Sequence, residues 1–157
     1  MKRDYRKTLR ACSKAMFGVY IVCLIYFLFF AESTGRTFEG RSYHYNLELF
    51  KEIRRFIVYR HTLGTKAVAL NLFGNIAAFI PFGFFLPVLC PKCRSVLFTV
   101  FFSFECSLLV ETIQLVSKVG SFDVDDLLLN TIGGFIGCLA FLWMNRIRRS
   151  YEEKEKK

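Results

Sequence analysis

The stretch NLFGNIAAFIPFG, residues 71–83, is apolar enough to lie in lipid, yet it contains two asparagines, two glycines and a proline. It belongs to one of four apolar runs that are long enough, or nearly so, to cross a hydrocarbon layer of about 30 Å at about 1.5 Å per helical residue. These runs are residues 15–31, 67–90, 95–117 and 127–144. The sequence therefore predicts an all-α membrane protein with four transmembrane helices.

Composition and charge support this class and orient the chain. Of the 157 residues, 54% are hydrophobic and 19 are phenylalanine, so a soluble globule would have too little polar surface. The net charge of +9 lies in the segments that flank the apolar runs, which predicts an N-in, C-in topology. No RNA-binding signature or soluble basic domain accompanies this charge, so we expect membrane lipid as the partner and no nucleic acid.

The predicted topology divides the chain into three parts. Residues 1–14 form a basic cytoplasmic N-terminus, residues 15–144 the four-helix membrane domain, and residues 145–157 a charged cytoplasmic tail that ends in the frayed segment YEEKEKK. The first run is longer and bulkier than the apolar core of a usual signal peptide, so an uncleaved helix is favoured. The CPKC motif at 90–93 is only half of a zinc site, and a tight turn between two helices is the favoured interpretation.

The loop between the first two runs contains YNLELFKEIRRFIVYR, residues 45–60. Its apolar residues Leu49, Ile53, Phe56 and Ile57 recur at helical spacing. This pattern predicts an interfacial amphipathic helix in the outer loop. It could cover a site formed by the other helices, but a plain structural role is the favoured interpretation.

Polar residues in three of the runs fall at similar depth near the outer surface. Asparagines recur at i and i+4 in the second run, and Glu111 and Gln114 share a face of the third. Such side chains either knit the helices together by hydrogen bonds or form a site, and a carboxylate at this depth must be neutral, paired or bound to a cation. The candidate ligand-binding cluster is Asn71, Asn75, Glu111, Gln114, Asp123, Asp125, Asp126 and Asn130.

Two other acidic features leave alternatives open. Clustered hard oxygens at Asp123, Asp125 and Asp126 suit Mg²⁺, although Asp125 and Asp126 could equally cap the fourth helix. Glu105 lies near the bilayer centre on a face about 120° from Glu111, where it is either a protonated, hydrogen-bonded acid or part of a proton relay.

Small residues and prolines in the second and fourth runs predict close packing. Pro81 and Pro87 should kink the second helix, and the freed carbonyls require neighbouring helices on several sides. Gly74 in that helix should allow close approach, and the GxxxG spacing of Gly133 and Gly137 is typical of helix contacts.

In order and spacing, NLELFKEIRRF, NLFGNIAAFIPFGFFLP, LLVETIQL and FDVDDLLLNTIGGFIG resemble the motifs of the VanZ-like family, over roughly residues 46–144. The resemblance implies a multipass bacterial cell-envelope protein whose relatives are associated with resistance to teicoplanin and similar lipoglycopeptides, with no settled biochemical activity. One departure is that Gly120 and Ser121 stand where many members have a basic residue, so Lys118 would have to substitute.

Three functions remain open at this point. The favoured one is non-enzymatic: the protein binds, or alters access to, a lipophilic ligand such as a lipoglycopeptide or a lipid-linked wall precursor at the outer leaflet, with no cofactor. The second is an intramembrane enzyme acting on a prenyl-linked phosphate with Mg²⁺ and Glu111 as general base, although no arginine clamp or histidine nucleophile lies inside the bundle. The third is a small transporter supported only by Glu105.

Overall fold

The computed structural model describes residues 2–27, 43–63, 65–90 and 94–154, and this part of the chain is almost entirely helical. The helices in chain order are α1 (Lys2–Tyr26), α2 (Lys51–Val58), α3 (Arg60–Leu63), α4 (Thr65–Leu89), α5 (Val96–Ser117) and α6 (Val124–Lys154). Two strands that the sequence did not predict, β1 (Tyr45–Asn46) and β2 (Phe122–Asp123), pair in parallel.

Three helices are long and apolar enough to cross a membrane: Asn71–Leu89, Val96–Ser117 and Val124–Lys154. The apolar part of α1, Ala11–Tyr26, is shorter, and the end of the first predicted run lies outside the described residues. The predicted all-helical class is therefore confirmed, together with three helices that are capable of crossing a membrane. The fourth span and the N-in, C-in orientation stay predictions.

The terminal helices extend beyond the apolar runs that predicted them. α1 begins at Lys2, and α6 continues to Lys154, where the composition had predicted a frayed end. Good helix formers such as Glu, Lys and Arg explain this extension. An ion pair between Arg148 and Glu152 at i and i+4, with 3.8 Å between nitrogen and oxygen, also supports the last turns.

Glycines set the contact between α4 and α6. A Cβ added at Gly83 would lie 1.9 Å from the carbonyl oxygen of Gly134, and one at Gly137 would lie 2.0 Å from that of Ile80. The prediction that Gly133 and Gly137 mediate helix packing is confirmed, because two helix backbones approach this closely only where the residue at the contact has no side chain. The same expectation for Gly74 is wrong, since no atom lies within 4 Å of its added Cβ.

The proline-containing helix α4 is packed on several sides, as predicted. It contacts α1, α5 and α6, and it stays helical through Pro81 and Pro87. Beside Pro81, the hydroxyl of Tyr20 in α1 donates to the carbonyl oxygen of Ala78 at 2.7 Å. A side chain of a neighbouring helix thus supplements the hydrogen bonding of the backbone near the proline.

Candidate functional site

The predicted polar residues meet at one end of the bundle, where α5 ends, α6 begins and α2 lies alongside. We call this region the polar end. The register of β1 and β2 places Asn46 opposite Asp123, and the Asn46 side-chain amide donates to Asp123 Oδ1 at 3.2 Å. The same Oδ1 accepts the backbone N–H of Asp125 at 2.8 Å. Asp123 is therefore the N-cap of α6.

The carboxylate of Asp125 caps a different helix from the one that contains it. Its Oδ1 accepts the N–H of Phe50 at 2.5 Å, and its Oδ2 accepts those of Glu52 and Ile53 at 2.9 and 3.1 Å. These are the orphan donors at the start of α2. Asp125 is only 1% exposed. The predicted capping role is correct for Asp125, but the capped helix is α2 and not α6.

Glu111 joins α5 to the start of α6. Its carboxylate is 3% exposed and accepts the backbone N–H of Asp123 at 3.1 Å. One turn later, the buried residue Gln114 uses its backbone carbonyl to accept the N–H of Val119 at 3.1 Å, which closes the end of α5. The carboxylate and the carbonyl thus fix the α5–α6 connection by two separate backbone contacts.

The amides of α4 behave differently from each other. The side-chain amide of Asn75 donates to Asp126 Oδ1, which ties α4 to the first turn of α6. Asn71 is half-buried, and in the part of the chain that the structure describes no hydrogen bond joins it to the other candidates. The structure therefore brings Asn75 into the polar end and leaves Asn71 beside it.

Asn130 is the deepest predicted residue of the polar end. It is 1% exposed, and its amide nitrogen donates to Ser107 Oγ at 2.9 Å. Its Oδ1 is buried and has no hydrogen-bond partner among the described residues. An unsatisfied buried carbonyl carries a free-energy cost that native proteins seldom accept without a reason. Among the described residues, this oxygen is therefore the buried side-chain acceptor of the polar end that has no hydrogen-bond partner.

The electrostatics of the polar end follow from crowded carboxylates. Burial raises the pKa of the Asp123 carboxyl above its ordinary value; the charge of Asp125 adds to this increase, and hydrogen bonds from Asp125 N–H and Asn46 oppose it. Burial also raises the pKa of Glu52, against the opposing effect of Arg55, which is ion-paired with Glu52 at 2.7 Å. Asp123 and Glu52 therefore bind a proton more readily than free carboxyl groups do.

With this geometry established, comparison with known proteins identifies the family. The family model described as VanZ/LLP1 matches residues 17–145. The chain belongs to the VanZ/LLP1 family. It is 36% identical over 69 residues to Protein VanZ of Enterococcus faecium, a match that covers 43% of this chain and 41% of the relative. No solved structure matches the chain.

In this VanZ/LLP1 protein, the three aspartates of the DVDD motif do not form a shared ligand set. Asp123 bonds to the start of α6, Asp125 to the start of α2 and Asp126 to Asn75. Within residues 2–27, 43–63, 65–90 and 94–154, no group of three His, Cys, Asp or Glu side chains is placed to hold a metal ion. The Mg²⁺ alternative at these positions stays a hypothesis, and in the described residues each of the three carboxylates is directed to a different partner.

The basic residue Lys118 lies where α5 ends. Lys118 ends α5 in a left-handed conformation, with a φ of 56°, and its ammonium group lies 4.6 Å from the centre of the Tyr43 ring. A cation over an aromatic face is a favourable contact. Lys118 thus packs against the segment that precedes β1.

The sequence interpretation missed a row of hydroxyl residues on α5. Thr99, Ser103 and Ser107 are all fully buried, and they lie on the face that continues to Glu111. Their spacing of four residues was the available signal, because four-residue steps keep side chains on one face of a helix. The row shows that the polar end of this VanZ/LLP1 protein continues into the bundle along α5.

The predicted amphipathic helix is present as α2, and one of its faces lines an open cavity of about 510 Å³. Ile53 and Phe56 are half-buried, whereas Leu49 and Ile57 are exposed. The lining of the cavity mixes cationic and apolar side chains, among them Lys51, Arg54, Arg55, Phe50 and Val58. The capped helix therefore presents an amphiphilic surface next to the polar end.

Proposed function

We propose that this VanZ/LLP1 protein binds, or alters access to, a lipophilic ligand at the outer leaflet of a bacterial membrane and thereby contributes to resistance to teicoplanin-type glycopeptides. In this proposal the chain spans the membrane four times with both termini inside, so that the polar end faces outward. The distribution of basic residues supports this orientation. Binding requires no cofactor.

One observation carries the proposal: the buried, unpartnered Oδ1 of Asn130. The described carboxylates of this end accept hydrogen bonds within the chain, as with Asp125 and the first turn of α2. A ligand hydroxyl, amide or ammonium group could supply the missing donor. The cavity beside α2 is lined by apolar side chains, by Glu48 and by the cations Lys51, Arg54 and Arg55, a mixed lining that suits an amphiphile.

The positions of the acidic side chains give less support to the two alternatives, a magnesium-dependent enzyme and a transporter. A magnesium-dependent enzyme would need the aspartates of the DVDD motif to converge, and each has its own partner. A transporter that uses Glu105 would need this side chain to line a path between helices, whereas it is exposed on the outside of α5. Ligand binding remains the function that the geometry supports best.

The test compares two variants that both break the bond between Asn130 and Ser107. Cells lacking the protein are complemented with wild type, Asn130→Leu or Ser107→Ala at matched membrane levels, and teicoplanin susceptibility is measured. We expect Asn130→Leu to abolish protection and Ser107→Ala to retain most of it, because the second variant keeps the acceptor oxygen.

The opposite result would show that Asn130 serves in helix packing and not in ligand binding. If the amide only joins helices, Asn130→Leu removes an unsatisfied buried carbonyl and should be tolerated. Full protection by Asn130→Leu would therefore contradict the proposal.

A further inference from the structure

Glu105 is a carboxylate on the outer surface of α5, near the middle of an apolar span. By helical rise it lies about 14 Å from Val96 and about 18 Å from Ser117. The side chain is exposed, and its neighbours Phe101 and Leu109 are 57% and 60% exposed. Within the described residues it forms no ion pair or hydrogen bond. A carboxyl group at this depth in hydrocarbon is costly unless it meets a polar partner.

Within the described residues, the candidate membrane spans do not supply a cation at that depth. The candidate spans Asn71–Leu89 and Val96–Ser117 contain no lysine or arginine, and the first basic residue of α6 is Arg146, near the other end of that helix from its polar start. A carboxyl group at this depth therefore needs a partner from outside these helices. A protonated acid has one O–H donor and free acceptor capacity. Its best partner has the same two properties.

A second copy of the chain supplies such a partner. Copies in one membrane have the same orientation, so a two-fold axis along the membrane normal places both Glu105 side chains at the same depth. Around Glu105, the residues Phe98, Phe102, Leu109 and Val116 are all exposed and follow three-, four- and seven-residue steps along one face. This face is apolar apart from Glu105 and Thr112, and the Thr112 hydroxyl donates to its own helix at 2.7 Å.

We propose that two copies pair through this face of α5, with the Glu105 carboxylic acids hydrogen-bonded to each other across the two-fold axis. The apolar side chains provide shape and packing, and the acid pair provides the directional contact that apolar faces lack in lipid. The interface is separate from the polar end and makes no use of its ligand.

The test measures pairing of full-length protein reconstituted at low density in phosphatidylcholine and phosphatidylglycerol vesicles, by single-molecule photobleaching of a C-terminal label. Wild type should form pairs. Glu105→Leu should raise the dissociation constant about tenfold, as expected for the loss of interhelical hydrogen bonds. Glu105→Gln retains a donor and an acceptor and should remain near wild type, and Thr112→Val is the matched control on the same face.

A second variant decides the matter if Glu105→Leu does not fold. Leu109→Trp leaves Glu105 in place and adds bulk at an exposed position, so it should also weaken pairing. Monomeric wild type at every density, or pairing that neither Glu105→Leu nor Leu109→Trp changes, would overturn the proposal. Pairing that appears only in native membranes and involves a different protein would overturn it as well.

Discussion

Two regions of this molecule hold carboxylates in an apolar setting, and they satisfy them in different ways. At the polar end, Asp123, Asp125 and Glu111 accept hydrogen bonds from backbone N–H groups. Helix starts and loops leave such donors free, whereas the middle of a helix uses each of them internally. Glu105, halfway along α5, has no free backbone donor nearby. The comparison teaches that backbone donors of the same chain can satisfy an acid at a helix end but not an acid in the middle of a helix.

The largest expected effect is at the capped start of α2. Asp125→Ala leaves the N–H groups of Phe50, Glu52 and Ile53 without their acceptor, and the free energy of unfolding should fall by about 2–4 kcal/mol. Hydrogen exchange of these three amides in detergent should increase strongly. Glu48→Ala is the control, because it removes only an exposed ion pair with Lys51. Unchanged protection of the three amides would show that α2 is held by its apolar contacts alone.

A second prediction compares the two glutamates of α5 directly. Glu111→Leu leaves the buried N–H of Asp123 unpaired and should cost about 1–3 kcal/mol of stability. Glu105→Leu replaces an exposed carboxyl group with an apolar one, so the detergent-solubilised monomer should be as stable as wild type or more stable. Thermal unfolding of both variants checks this. Equal losses would mean that Glu105 has an internal partner and that the two regions do not differ as described.

The smallest effect concerns pH. The pKa of Asp123 in the folded protein is raised above its ordinary 3.8, so the folded state binds this proton more tightly than the unfolded chain. The contribution of Asp123 to stability should therefore decrease as the pH rises from 3.8 through the raised folded value. Thermal unfolding of wild type and Asp123→Asn in detergent measures it. The stability difference, wild type minus variant, should shrink over that window, and a constant difference would contradict the assignment.

Much of the fold could be predicted because its signals, long apolar runs and the spacing of glycines, each lie within a short stretch of the sequence. The three membrane-capable helices follow from length and hydropathy, and the contact at Gly133 and Gly137 follows from their separation by one turn. Depth counting along helices also placed Asn75, Glu111 and Asn130 at the same end.

The hydrogen-bond partners could not be predicted because they are distant in sequence. The pattern around Asp125 indicates a cap, but only the three-dimensional arrangement shows that it caps α2, which lies 73 residues earlier. The pairing of Tyr45–Asn46 with Phe122–Asp123 could not be predicted either, because strands of two residues are too short to show the alternating pattern of a β-strand. The exposure of Glu105 likewise depends on which face of α5 the neighbouring helices cover.

The cap of α2 has a consequence for the order of events during synthesis. The carboxylate that completes the first turn of α2 is made 73 residues after Glu52. At about 5–20 residues per second, this delay is roughly 4–15 s. Until then, water must satisfy the free N–H groups of that turn, while the two helices α4 and α5 are made. The cap therefore closes only on chains in which the start of α6 has come to lie beside α2, so that it couples the first turn of an early helix to the correct placement of the last one.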